Sequence, residues 1–169
     1  RKRESWGKLD QAIEYYIQAL RIDPKSEEAK DKILKLGPNM SEEYVKSGKF
    51  ENALEIFDAL ILIDPSDEKM LLARAECLFA LGKFEEAKEA YDKVSKLDPP
   101  NAATAMYLSE ILSGKLDFNS LVKAIEFFER KDHLHVAVAL SHHLLKLQQN
   151  SGYTYLTLGF LNQKLGKTD

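Results

Sequence analysis

One phrase is written three times along the chain. It reads KLDQAIEYYIQALRIDPKSE at Lys8–Glu27, KFENALEIFDALILIDPSDE at Lys49–Glu68 and KFEEAKEAYDKVSKLDPPNA at Lys83–Ala102. A phrase of this length repeated in register describes one small structural unit. Such a unit cannot hide its apolar side alone and must stack on its neighbours, so the repetition constrains the fold before any other feature is considered.

Each element of the phrase has a mechanical reason. Gly7-Lys8, Gly48-Lys49 and Gly82-Lys83 open the three copies, and glycine permits the left-handed backbone that closes one helix and turns into the next. Asp10, Glu51 and Glu85 fall in the first turn of the following helix, where a negative charge suits the dipole. Ala12, Ala53 and Ala87 let helices approach, and Tyr16, Phe57 and Tyr91, four residues on, fill the space beside them. Asp23-Pro24, Asp64-Pro65 and Asp98-Pro99 then stop the helix. Ser26, Asp67 and Asn101 follow two residues after those prolines and are expected N-caps of the next helix. Apolar residues recur at intervals of three and four with no strand-like period of two, so the whole chain reads as helical.

A 34-residue helix-turn-helix unit with these marks resembles the tetratricopeptide repeat. The likeness runs from Gly7 to about Asn101 and is plainest in LFALGKFEEAKEAYDKVSKLDP. It implies an all-α fold, a right-handed superhelical α-solenoid of antiparallel helix pairs. Repeats are expected at approximately 1–25 (partial), 26–66, 67–100, 101–132 (divergent) and 133–169 (divergent, partial or capping). The alanines are spaced by 41 and then 34 residues. The excess of seven residues makes about two helical turns, which keeps the same face inward. The insertion is expected near 37–43, where Gly37-Pro38 should break or kink a helix whose stripe includes Ile33, Met40 and Tyr44.

The C-terminal half resists strict alternation. KAIEFF at Lys123–Phe128 echoes QAIEYY at Gln11–Tyr16, yet HVAVALSHHLLKLQQNS at His135–Ser151 also reads as a second helix. Both cannot hold when connections are short and neighbours antiparallel. The reading preferred here makes 102–131 one divergent hairpin, followed by 134–147 and 152–165 as another. Phe127 and Phe128 would then pack on Leu108 and Leu112 rather than on Leu140 and Leu144. Both ends read as cut from a longer array, since the first repeat lacks most of its first helix and LGKTD precedes an expected second one.

Composition limits the function. With 44% hydrophobic and 30% charged residues the chain has the make-up of a folded protein, and a net charge of −3 draws it neither to nucleic acid nor to an anionic membrane. The single cysteine, Cys77, cannot form an internal disulfide; it reads as a buried thiol and points to a reducing, cytoplasmic setting. No apolar run approaches the ~20 residues of a membrane span. His133, His135, His142 and His143 cluster, but His135 and His142 would stand about 10 Å apart along a helix, so a solvated face is expected rather than a metal site. No phosphate loop and no nucleophile–base arrangement is present, and neither a cofactor nor an enzymatic activity is expected of this segment. Trp6, Tyr15, Tyr16, Phe57, Tyr91, Phe127 and Phe128 are read mostly as core.

The resemblance also implies a concave groove lined by first helices that binds an extended or helical peptide. Mapped onto this chain, the lining is Lys69, Leu72, Glu76 and Phe79, beside Arg74, on one helix. On the next it is Met106, Tyr107 and Glu110, flanked by Ala103 and Ser113, with Glu42 ahead of them. Glu42, Glu76 and Glu110 would form a ladder of acids, suited to a basic or amphipathic protein partner. Members of the family that clamp a chaperone's C-terminal carboxylate carry lysines, asparagines and an arginine where this chain has Leu72, Ala73, Glu76, Ala103 and Tyr107, which counts against that ligand. Two alternatives are self-assembly through exposed end helices and an RNA-reading helical repeat, the latter disfavoured by the acids.

Overall fold

The computed structural model describes residues 2–97, 102–114 and 116–166, with side chains from residue 7 onward. Helices follow one another as α1 (Lys2–Ile22), α2 (Glu27–Lys46), α3 (Phe50–Ile63), α4 (Glu68–Ala80), α5 (Phe84–Ser95), α6 (Ala102–Ser113), α7 (Phe118–Arg130), α8 (Leu134–Leu147) and α9 (Gly152–Lys164). Among the described residues there is no strand, and the chain is an all-α helical-repeat solenoid.

The turns follow the repeated phrase closely. Gly48 and Gly82 take φ of +70° and +75°, and the amides after them, on Lys49 and Lys83, donate to the carbonyls of Tyr44 and Leu78 at 2.8 and 3.0 Å. This is the hydrogen-bonded C-cap that glycine alone forms without strain. The connections that lead into the next pair use the other device: Asp23 and Asp64 each accept the amide two residues on, at 3.0 Å. Ser26 and Asp67 then accept the amides of Ala29 and Met70. The third Asp-Pro stop and the cap expected at Asn101 lie outside the described residues. Gly7 departs from the pattern, since it stands inside α1 rather than in a turn.

Gly37-Pro38 does not break its helix. α2 continues through it for 20 residues and buries Ala29, Ile33, Gly37 and Met40 on one side. Pro38 and Leu34 both lie on the exposed side, so the carbonyl that loses its partner at Pro38 can bond to water instead. Gly37 is needed for a different reason: a Cβ there would stand 3.2 Å from Ile56 and 3.3 Å from Leu60 of α3.

The C-terminal half is organised otherwise than the sequence reading expected. α6 packs along α5 but only sparsely on α7, while α7 packs closely along α8 and α8 rests on α4. The hairpin is therefore 118–147, not 102–131. Its turn reproduces the glycine turns, with Asp132 at φ +61° in the glycine's place and the His133 amide donating to Phe128 at 2.9 Å. Aspartate is among the few residues that tolerate this backbone. Phe127 packs on Tyr107 of α6, and Phe128 packs on Phe79 of α4. By turn type α7 is a first helix and α8 a second, which leaves α6 as a first helix without a partner of its own.

His143 anchors the hairpin. Its Nε2 donates to the Ala80 carbonyl at 3.0 Å, its ring lies edge-on to Phe84 at 5.6 Å, and a Cβ on Gly82 would stand 2.5 Å from it. Around Gly48, by contrast, the space is open. Gly48→Ala is therefore expected to cost about 1 kcal/mol from the left-handed backbone alone. Gly82→Ala should cost a further ~1–3 kcal/mol by displacing His143. Urea unfolding of both variants, each with and without His143→Ala, tests this: the gap should narrow when His143 is truncated, and an equal cost at the two glycines would show that α8 is not seated there.

Candidate functional site

The eight residues expected to line a groove divide sharply. On α4, Lys69 is exposed and Leu72 half-buried, but Glu76 is buried and Phe79 fully so. Phe79 meets Phe84, Tyr91 and Phe128 edge-on, with ring centroids at 5.6, 6.3 and 6.0 Å. That is core packing, and two of the three partners come from the phrase itself while the third belongs to the α7–α8 hairpin. The Glu76–Phe79 end of α4's inner face is thus covered by the chain's own C-terminal half, while Lys69 and Leu72 nearer its start are not fully covered.

Glu76 owes its burial to the same hairpin. His133, at the N-cap of α8, donates from Nδ1 to Glu76 Oε2 at 3.0 Å, and the glutamate side chain is left only 11% exposed. The imidazole stacks on Phe128 at 6.2 Å with a 23° tilt. The hydrogen bond to Glu76 raises the His133 pKa above its ordinary 6.5, against the opposing effect of burial. Glu42 and Lys46 of α2 face this pair across a cleft of about 280 Å³, which Leu134 and Val136 also line. Glu42 is itself paired with Lys46 at 2.6 Å. Glu42, Glu76 and Glu110 consequently do not form a continuous open acid wall: the first is exposed but paired with Lys46, the second is covered, and the third is exposed on another helix.

α6 presents a different surface. Met106 is 61% exposed, Glu110 is exposed and Tyr107 half-buried. The Tyr107 ring lies 5.0 Å from that of Phe127, tilted 35°. Where α6 and α7 diverge, Tyr107, Phe127, Arg130 and Lys131 border a cleft of about 450 Å³. Lys131 Nζ stands 5.9 Å from the Phe127 ring centre, and Arg130 Nε donates to the Glu126 carbonyl at 3.2 Å. The expected hairpin packs Phe127 and Phe128 on Leu108 and Leu112 of α6; the structure sets Phe127 on Tyr107 of that helix and Phe128 on Phe79 of α4. The histidines, expected on a solvated face, include two that reach α4, His133 and His143. The signal available was Lys131-Asp132-His133, which fills the Gly-Lys turn position with a residue that shares glycine's tolerance.

Cys77 is buried, and burial, helped by the charge of Glu76, pushes its thiol up to about 12. It is an inert packing residue. Among the described residues no three histidine, cysteine or carboxylate groups converge as a metal site, and no helix is long and apolar enough to cross a membrane.

Two measurements follow from this geometry. Phe79→Ala should cost about 3–5 kcal/mol of stability and Met106→Ala under ~0.5 kcal/mol, a contrast that urea denaturation reads directly; similar costs would mean that α7–α8 leaves α4 bare. For the His133–Glu76 pair the linkage has a definite sign. A histidine whose pKa is raised on folding stabilises the fold below its unfolded pKa, and that contribution is lost as pH rises through the folded value. The stability advantage of wild type over His133→Gln should therefore be largest at about pH 6 and fade toward about pH 8. Glu76→Gln should flatten that dependence, and an advantage that grows with pH would contradict the pairing.

Comparison with known proteins adds the family. A tetratricopeptide repeat family model matches residues 44–111 and a second one matches residues 3–26. No curated protein matches the chain in sequence. Among solved structures it is similar to one titled "Crystal structure of MamA", at 17% identity and a TM-score of 0.36, with 98% of this chain and 84% of that chain covered. That likeness is too loose to carry an argument, so the assignment rests on the family models and on the turn geometry. On those grounds the chain belongs to the tetratricopeptide repeat family.

Proposed function

We propose that the chain is a non-catalytic scaffold that holds a peptide or helix of a protein partner on its helical inner surface. Proteins of this family act generally by binding other proteins, and the sequence offers no chemistry of its own. The observation that carries the reading is the inner face of α6: Met106 is 61% exposed, on a first helix whose second helix is absent and on which α7 packs only sparsely. An apolar side chain held out on a rigid helix, beside a half-buried tyrosine, is the kind of surface that a partner's amphipathic segment covers.

Of the groove residues inferred from the family, Lys69, Leu72, Met106, Tyr107 and Glu110 stay in this proposal. Glu76 and Phe79 serve the fold instead. With Glu76 covered and Glu42 paired, the acid ladder gives a basic partner little to answer, and amphipathic character becomes the main requirement on the partner. Wild type, Met106→Glu and Glu110→Lys, with Glu28→Lys on the exposed side of α2 as the control, should separate in cross-linked pull-downs. Partners should be lost from the two α6 variants and kept by the control. Retention of every partner by both α6 variants would remove α6 from the binding surface.

A second reading is supported by α9, where Tyr153, Tyr155, Leu156 and Phe160 are 43%, 57%, 77% and 48% exposed. An apolar helix face of this kind could stack on a neighbouring copy and make the array an oligomeric scaffold. A molecular mass that rises with protein concentration, and no longer does so in Leu156→Glu, is the outcome this reading requires.

A further inference from the structure

We infer that the wedge between α6 and α7 is a binding site for an acidic peptide segment that inserts one apolar or aromatic side chain beside Tyr107 and Phe127. This rests on the scaffold reading and gives it a partner chemistry.

The wedge exists because the α7–α8 hairpin is committed elsewhere. His143 and Phe128 hold it on α4, and α7 cannot lie flat on α6 as well. The two helices therefore meet at Tyr107 and Phe127, whose rings lie 5.0 Å apart, and leave the cleft of about 450 Å³ beside them. Both rings are half-buried, so one side of each is supplied by the fold and the other is available. An inserted ring or aliphatic chain would remove that apolar surface from water, which is the main source of affinity at small sites of this kind.

Charge sets the sign of the partner. Arg130 and Lys131 are exposed at the edge of the wedge, and among the described residues no carboxylate lies within ion-pair distance of either. Lys30, Arg74 and Lys164, by contrast, are held by Glu27, Asp58 and Glu129. The acid nearest along α6 is Glu110, one turn beyond Tyr107 toward the C-terminus. Among the described residues that border the cleft, Arg130 and Lys131 are present and Glu110 is not. A bound segment would place its acids at the Arg130 and Lys131 end and its apolar side chain on the rings. Arginine supplies a planar donor fork for a carboxylate, and lysine a mobile point charge.

Fluorescence anisotropy of the whole chain with three labelled pentapeptides tests this: Glu-Glu-Phe-Glu-Glu, Lys-Lys-Phe-Lys-Lys and Glu-Glu-Ala-Glu-Glu. The first should bind at least about tenfold more tightly than either of the others, and more weakly as salt rises from about 50 to about 300 mM. Arg130→Glu/Lys131→Glu should reduce its affinity by about tenfold or more, with the helical circular dichroism unchanged. Tyr107→Ala should do the same through the ring contact, leaving the salt dependence in place. Equal or tighter binding of the lysine peptide, undiminished binding by the double variant, or no saturable binding of the first peptide would overturn the inference. Loss of partners from Met106→Glu alongside any of those results would leave the scaffold reading standing without the wedge.

Discussion

A pair of helices of this length has an apolar side on each member and can hide only the sides that face each other. Whatever remains must be covered by the next pair, and in this chain the demand is sharpest at Phe79, which is fully buried among three aromatic rings. Phe84 and Tyr91 come from its own hairpin, but the third ring, Phe128, is supplied from some 50 residues downstream. Once Phe128 is placed there, α8 lies on α4, Glu76 is covered, His133 has its carboxylate and His143 its carbonyl. The opening between α6 and α7 is a geometric consequence of the same contact.

The two halves differ in how they meet that demand. From α1 to α6 each helix packs mainly on its neighbours in sequence, as in any one-dimensional stack. The hairpin α7–α8 breaks the order by returning to α4. Its polar contacts with α4 are few but specific: an imidazole on a buried carboxylate, and an imidazole on a helix-terminal carbonyl. Groups of this kind contribute modestly to stability and strongly to register, because a shifted hairpin would leave Glu76 buried without its partner.

Much of the N-terminal half was legible from the residues. The turns at Gly48 and Gly82, the stops at Asp23-Pro24 and Asp64-Pro65 and the caps at Ser26 and Asp67 are local devices, settled within a few residues, and they occur where their chemistry requires. The two added turns in α2 were legible for the same reason, although Pro38 proved harmless because its side of the helix faces water. The candidate site was legible only in part. Met106, Tyr107 and Glu110 lie on an uncovered face, but Glu76 and Phe79 carry residue types that suit a groove and a core equally, and nothing local distinguishes the two.

The repeated phrase by itself determined that the chain is a stack of helices, and where those helices begin and end over most of the array. Tertiary structure alone decided which helices pair in the C-terminal half and which inner face remains open. The physical reason is that helix boundaries are set by backbone hydrogen bonds a few residues apart. The choice between α6 and α4 as the seat of the hairpin depends on rings and charges brought together across the fold, and apolar periodicity is the same for either outcome.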